Sequence, residues 1–75
     1  MKIDKDKFKE EVEKAQARDP DLTLGDIAKA GGYQADSRIY QLMKGIGTNV
    51  NPRIGEALAK KLKCKTADIT AQEAA

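Results

Sequence analysis

Phe8, Val12 and Ala15 recur at i, i+4 and i+7 in an otherwise charged stretch, which makes one apolar stripe on a helix and predicts a first helix over about residues 4–18. Asp4 or Asp6 is placed to cap its orphan N–H groups, and Glu10 with Lys14 forms an i,i+4 pair in the favourable order. Asp19-Pro20 ends this helix, because proline disfavours a helical residue before it. Ile3 either adds to the core or frays. A second helix is predicted over about 23–31. Thr23 and Asp26 form a variant capping box, Leu22 and Leu24 flank the cap and point inward, Ile27 and Ala28 brace the helix, and Gly31-Gly32 stops it with a left-handed cap. A third helix is predicted over about 36–44, starting at Asp36 or Ala35. Ile39, Leu42 and Met43 share one face, Arg38, Tyr40, Gln41 and Lys44 occupy the others, and Gly45 ends it with Lys44 set against the C-terminal partial charge.

The segment Ile46–Asn51 is polar except for Ile46 and Val50, which are expected to anchor it as a loop. Asn51-Pro52 is a strong start signal, with Asn as N-cap and Pro at the first helical position. The fourth helix, about 52–63, is expected to bury Ile54, Leu58 and Leu62 with Ala57 alongside. Thr66 is expected to cap a short last helix over about 66–70 that contains Ile69. Beyond it nothing is seen to hold Thr70–Ala75, and residues 71–75 are expected to be a disordered tail or the start of a linker. The pattern therefore predicts an all-α fold: one domain over 1–70, a compact bundle of four to five short helices, with no strand pattern, repeat or low-complexity tract.

Composition narrows the chemistry. Seventy-five residues allow one domain and a small core. Cys64 is the single cysteine and there is no histidine, so neither an internal disulfide, a zinc cluster nor a Ser-His or Cys-His pair is available. Cys64 is expected to be a small buried hydrophobe. No cofactor, metal or small-molecule substrate is expected, and an enzyme is not. No apolar run approaches the roughly 20 residues needed to cross a bilayer, and Met1 is not followed by the apolar run of a signal peptide, so a cytoplasmic, nucleoid-associated location is expected.

The net charge of +2 conceals a segregation. Residues 1–36 hold seven Lys/Arg and nine Asp/Glu, giving −2, whereas 37–65 hold seven Lys/Arg against Glu56 alone, giving +6. Positive charge thus begins where the third helix begins. A localised basic stretch is the footprint of a phosphate binder, although Lys60, Lys61, Lys63 and Lys65 also suit a plain solvated helix face.

Two short helices joined at a glycine turn, Leu22–Gly45, form the pattern of a helix-turn-helix. With Ala28, Gly32, Ile39, Leu42 and Gly45 at the matching positions, the chain resembles the lambda-repressor-like helix-turn-helix family of phage and bacterial regulators. Pro52–Lys63 is similar to the helix that follows the reading unit in that family, and Thr66–Ile69 resembles the start of its last helix, so the resemblance covers about two thirds of the chain. The turn Gly31–Ala35 is one residue longer than usual for the family, and Asp36 stands where the family often has an uncharged residue. Tyr33 resembles the turn residue that the family buries.

The resemblance implies a sequence-specific, double-stranded DNA-binding regulator, a repressor above all, with helix 36–44 in the major groove. Ser37, Arg38 and Gln41 are the expected base readers, since Arg can pair with guanine O6 and N7 and Gln with adenine. The alternative for Arg38 is a phosphate contact or solvent. Thr23, Gln34, Tyr40, Lys44, Thr48, Asn49 and Arg53 are the expected backbone or turn contacts, near the starts of helices two and four, whose N–H groups suit phosphate. Thr48 and Asn49 equally suit ordinary turn chemistry, and Tyr40 either reaches phosphate or packs on helix four. Asp36 either caps helix three or accepts from cytosine N4. Gly25 allows close approach either to the first helix or to a phosphate. A homodimer on a two-half-site operator is the expected assembly, through the last helix or a downstream domain. A Cro-like antagonist and an antitoxin remain open beside the repressor. The competing expectation is a helical protein-interaction module that keeps the fold and does not bind DNA, favoured by the modest net charge and by Asp36.

Overall fold

A computed structural model describes residues 1–71. Four α-helices follow in order: α1 (Lys5–Arg18), α2 (Leu24–Ala30), α3 (Ser37–Met43) and α4 (Pro52–Lys61), and then a single 3-10 turn, Thr66–Asp68. The helices are those the sequence pattern predicts, with the capping residues lying just outside them. α3 packs on α1 and α2, α4 packs on α2, and the last turn packs on α1 and α4. Ile3, Phe8, Val12, Ile27, Ile39, Leu42, Leu58, Leu62 and Ile69 fill one continuous core. Among the described residues no helix is long and apolar enough to cross a membrane.

The starts of α1, α2 and α4 are fixed by side-chain oxygens. Asp4 accepts from the N–H groups of Asp6 and Lys7 at 2.9 and 3.1 Å. Thr23 Oγ1 accepts from Asp26 N–H at 3.2 Å, while Asp26 Oδ2 accepts from Thr23 N–H at 3.1 Å, completing the capping box. Asn51 Oδ1 accepts from Arg53 N–H at 2.9 Å, ahead of Pro52.

α2, α3 and α4 end alike. In each, the second residue beyond the helix cap donates back to the third-last carbonyl: Tyr33 to Ala28 at 2.9 Å, Ile46 to Gln41 at 2.8 Å, Cys64 to Ala59 at 2.9 Å. The residue before each donor turns left-handed, at Gly32 (φ 85°), Gly45 (φ 83°) and Lys63 (φ 57°). These are Schellman ends, which glycine normally supplies. Lys63 is the exception, and it explains why α4 stops at Lys61 rather than running on to 63.

Four expectations are corrected. First, the buried face of α4 is wider than expected: Leu58 and Leu62 are buried and Ile54 and Ala57 are half-buried, Ile54 against the core, but Gly55 and Ala59 are buried as well. Met1 lies across Gly55, where a Cβ would run into the Met1 thioether. Second, Ile46 is 55% exposed, so Val50 alone anchors its loop by burial. Third, Thr66 does not cap the last turn. It is the turn's first residue, and the Asp68 carboxylate accepts from Lys65 N–H at 3.0 Å instead. Fourth, Thr70 and Ala71 are held. Residues 1–4 run extended between the loop before α4 and the chain after the last turn, with bridges from Lys2 to Asn49 and from Ile3 to Thr70. Ile3 N–H donates to Thr48, Val50 N–H to Met1, Asp4 N–H to Ile69 and Ala71 N–H to Lys2, at 2.8 to 3.0 Å. This pairing also settles Ile3, which is buried in the core. Of the expected tail at 71–75, residues 72–75 lie outside the described residues.

Candidate nucleic-acid interface

α3 is seven residues long and is held on one side only. Ile39 and Leu42 point into the core, while Ser37, Tyr40, Gln41 and Lys44 are exposed, together with Gln34, Ala35 and Asp36 in the turn before it. α4 packs on α2 and not on α3, so Tyr40 is not covered by the fourth helix and is 49% exposed. Tyr33 is half-buried against the core.

Asp36 occupies the N-cap position of α3, but its carboxylate caps nothing. Its backbone is helical (φ −71°, ψ −15°), whereas a capping side chain needs an extended residue to fold back over the first amides. The expected cap is therefore absent. Asp36 instead stands as an exposed negative charge beside Ser37.

Arg38 is turned away from the outer face. Its Nη1 donates to Gln41 Oε1 at 3.2 Å and to the Ile46 carbonyl at 3.3 Å, and its Nη2 donates to the Gly47 carbonyl. The guanidinium also lies 5.7 Å from the centre of the Tyr33 ring, within cation–π range. A Cβ at Gly47 would come within 2.6 Å of Nη1, so glycine is what allows the loop to close on the arginine. Arg38 thereby does the anchoring expected of Ile46.

The remaining candidates spread around this face. Lys44 and Arg53 are exposed, and among the described residues neither is in an ion pair; the ion pairs there join Lys14 to Glu10 and Glu11. Thr48 is half-buried and gives its carbonyl to Ile3, whereas Asn49 is exposed and paired with Lys2 through backbone. Both are tied to residues 2 and 3 through the backbone. Thr23 is exposed and its hydroxyl oxygen is engaged in the capping box. The Thr23 N–H holds the Asp26 carboxyl below its ordinary range, so a full negative charge sits at the start of α2. At the start of α4, Asn51 already takes the Arg53, Ile54 and Gly55 amides through its side chain and carbonyl, and Pro52 has none. A phosphate there would meet the Arg53 side chain rather than bare amides. A Cβ at Gly25 would meet only Thr23 Oγ1, at 3.6 Å, so the first helix does not require glycine there.

The fold also brings up residues that local pattern could not find. Lys2, Lys5 and Lys44 line a shallow depression together with Asp4, Asp6 and Thr48, and the Lys5 side chain lies against Gly45. The first turn of α1 thus sets Lys5, with Asp4 and Asp6 beside it, next to Lys44 at the C-terminal end of α3. No spacing in the chain signals this, because the contact spans some forty residues.

Cys64 lies away from this face, half-buried against the core. Burial, with Glu11 and Asp68 nearby and Arg18 partly offsetting them, pushes its thiol up to about 11. The thiol is therefore protonated at neutral pH and acts as a small apolar filler.

The chain matches no family model, and neither the curated proteins nor the solved structures include one that is significantly similar to it.

Proposed function

We propose that this chain is a sequence-specific, double-stranded DNA-binding regulator of the phage or bacterial type, related to the lambda-repressor-like family, with α3 in the major groove. The observation that carries this reading is the open face of α3. A short helix braced by α1 and α2 presents Ser37, Tyr40, Gln41 and Lys44 outward, with no element packed over them. A helix so displayed has the width and the polar edge that a major groove admits. Electrostatics give this face a modest positive balance: Lys2, Lys5 and Lys44 outnumber Asp4 and Asp6 at one end of α3, and Arg53 stands exposed at the start of α4. Phosphate contacts from such side chains set the register, and base contacts then discriminate. A single domain of this size covers few base pairs, so a homodimer on two half-sites about one helical turn apart belongs to this proposal.

A second reading, a protein-interaction module without DNA binding, is favoured by Tyr40 and Ile46, the two large apolar side chains exposed beside α3.

Titrating the isotope-labelled protein with a mixed-sequence duplex at low and moderate salt separates the two. DNA binding predicts amide shifts across Gln34–Arg53 that weaken as salt rises, with a log–log slope of about −0.9 per phosphate neutralised. An absence of shifts at low salt removes the electrostatic term altogether and leaves the interaction module.

A further inference from the structure

We infer that the cationic pocket where α1 and α4 end together is a docking site for an acidic peptide segment of a protein partner, one that carries an apolar side chain among its carboxylates. No residue of α3 lines this pocket, so the inference stands apart from the DNA-binding proposal and goes beyond it.

The pocket holds about 240 Å³. Ala15 is buried and Leu22 is half-buried against the core, and the two give it an apolar floor. Exposed Arg18, Lys60, Lys61 and Lys63 surround that floor, with Asp19 as the one acidic residue among them. Among the described residues none of these four cations is in an ion pair. Arg18 is fixed in place, because its Nη2 donates to the Leu62 carbonyl at 2.7 Å. That bond ties the last turn of α1 to the end of α4 and leaves the other guanidinium N–H groups without a protein acceptor among the described residues.

Basic residues in a last helical turn complement its carbonyl end, and that alone accounts for Arg18, Lys60 and Lys61. It does not account for Lys63. This residue lies beyond the helix, in the left-handed conformation (φ 57°) that Gly32 and Gly45 supply at the equivalent ends of α2 and α3. Glycine would be relaxed there. A strained residue that adds a charge to the rim of a pocket points to a ligand.

The lining selects the chemistry of that ligand. The cations call for carboxylates or phosphates. Asp19 accepts from the Asp21 N–H through one oxygen at 3.2 Å, and its second oxygen has no donor among the described residues. A peptide brings backbone N–H groups for it, whereas the phosphate backbone of a duplex has no donor and is repelled. The apolar floor takes an aliphatic side chain, which a peptide carries and a duplex backbone does not. A segment such as Glu-Asp-Leu-Glu-Asp meets all three demands.

The test is a titration of the isotope-labelled intact chain with acetylated, amidated Glu-Asp-Leu-Glu-Asp at low salt. Amide shifts are expected at Ala15–Leu22 and Lys60–Cys64, with α3 silent. Serine in place of the peptide's leucine should weaken binding about 5-fold, because the contact with the floor is lost. Lys60→Glu puts an anion on the rim and should weaken it about 5-fold as well. Lys63→Gly should weaken it about 3-fold while the urea midpoint holds or rises, which separates the lost charge from lost structure. A mixed-sequence duplex at moderate salt should leave these residues unshifted. Absence of peptide shifts in the pocket, or equal binding of the leucine and serine peptides, would overturn the inference. Duplex-induced shifts there that Lys60→Glu abolishes would give the pocket to nucleic acid and overturn it too.

Discussion

α3 and α4 carry most of the positive half of the chain, and they are built in opposite ways. α4 is self-sufficient. Asn51 and Pro52 start it, ten residues give it nearly three turns, and its inner stripe is sealed by Met1 across Gly55. α3 has seven residues, no side-chain cap and two buried anchors, Ile39 and Leu42. What keeps α3 in place comes from elsewhere: α1 and α2 beneath it, and a loop that Arg38 ties to its flank. α4 is therefore scaffold, and α3 is displayed by the fold around it. A displayed helix can leave its outer side chains for a ligand because its neighbours carry the cost of ordering it.

The sharpest way to break this contrast is through the scaffold. Leu58 is fully buried on α4, where α4 meets α2. Leu58→Ala should cost about 2–5 kcal/mol, a large part of the stability available to so small a domain, and urea unfolding should show a midpoint that falls sharply or no folded baseline. Gln41→Ala on the outer face of α3 should leave the same curve within about 0.5 kcal/mol. Similar losses from both substitutions would mean that α3 is part of the structural frame after all.

The next effect lies in the tie between α3 and its loop. Arg38→Met keeps the aliphatic stem and removes the guanidinium. The loss should be about 1 kcal/mol, because the hydrogen bonds are exposed and water replaces part of each. Amide exchange should quicken at Ile46–Thr48 and stay unchanged in α4. Uniform acceleration across the chain would show that Arg38 supports the whole fold rather than the loop.

Much of this architecture was legible because its signals are local. Thr23 with Asp26, Asn51 with Pro52 and the two glycine-terminated helices each state their role within a few residues, and Phe8, Val12 and Ala15 define α1 by spacing alone. What escaped was non-local or carried by residues that a hydrophobic pattern scores as neutral. The pairing of residues 1–4 with two distant segments has no periodicity to reveal it. The full width of the buried face of α4 was missed because Gly55 and Ala59 are buried for being small, not for being strongly apolar. At the candidate site, the exposure of Ser37, Gln41 and Lys44 followed from their spacing against Ile39 and Leu42. The inward turn of Arg38 did not, since its destination is set by the path of the Ile46–Gly47 backbone. Gly45 and Gly47 so close together were the available hint that a chain reversal there would bring carbonyls toward α3.

The helix starts offer a smaller and cleaner test of the same contrast. Asn51→Ala removes an oxygen that holds an amide of α4 and should cost about 1 kcal/mol. Asp36→Ala removes a carboxylate that caps nothing, so stability should change by less than about 0.3 kcal/mol, with the midpoint of thermal unfolding as the readout. Under the DNA-binding proposal Asp36→Ala should also tighten duplex binding at low salt, since an exposed negative charge beside the reading face is gone. A loss of stability comparable to that of Asn51→Ala would show that the carboxylate caps α3 in solution.

A small gain in stability is expected at the one left-handed helix end that lacks glycine. Gly32, Gly45 and Lys63 hold the same left-handed position in the same motif, so Lys63 alone carries a steric strain of roughly 1–2 kcal/mol there. Lys63→Gly relieves that strain but adds freedom to the unfolded chain, worth roughly 0.5–1 kcal/mol in the opposite sense. The net gain should be about 0.5 kcal/mol, read as a small rise in the urea midpoint with an unchanged slope. Lys63 borders a pocket with Arg18, Lys60 and Lys61 at the joined ends of α1 and α4, not the face of α3. Its replacement should therefore stabilise the fold and leave duplex affinity almost unchanged at moderate salt. A clear loss of affinity in a better-folded protein would extend the DNA contact from the displayed helix onto the scaffold, and would redraw the division between α3 and α4.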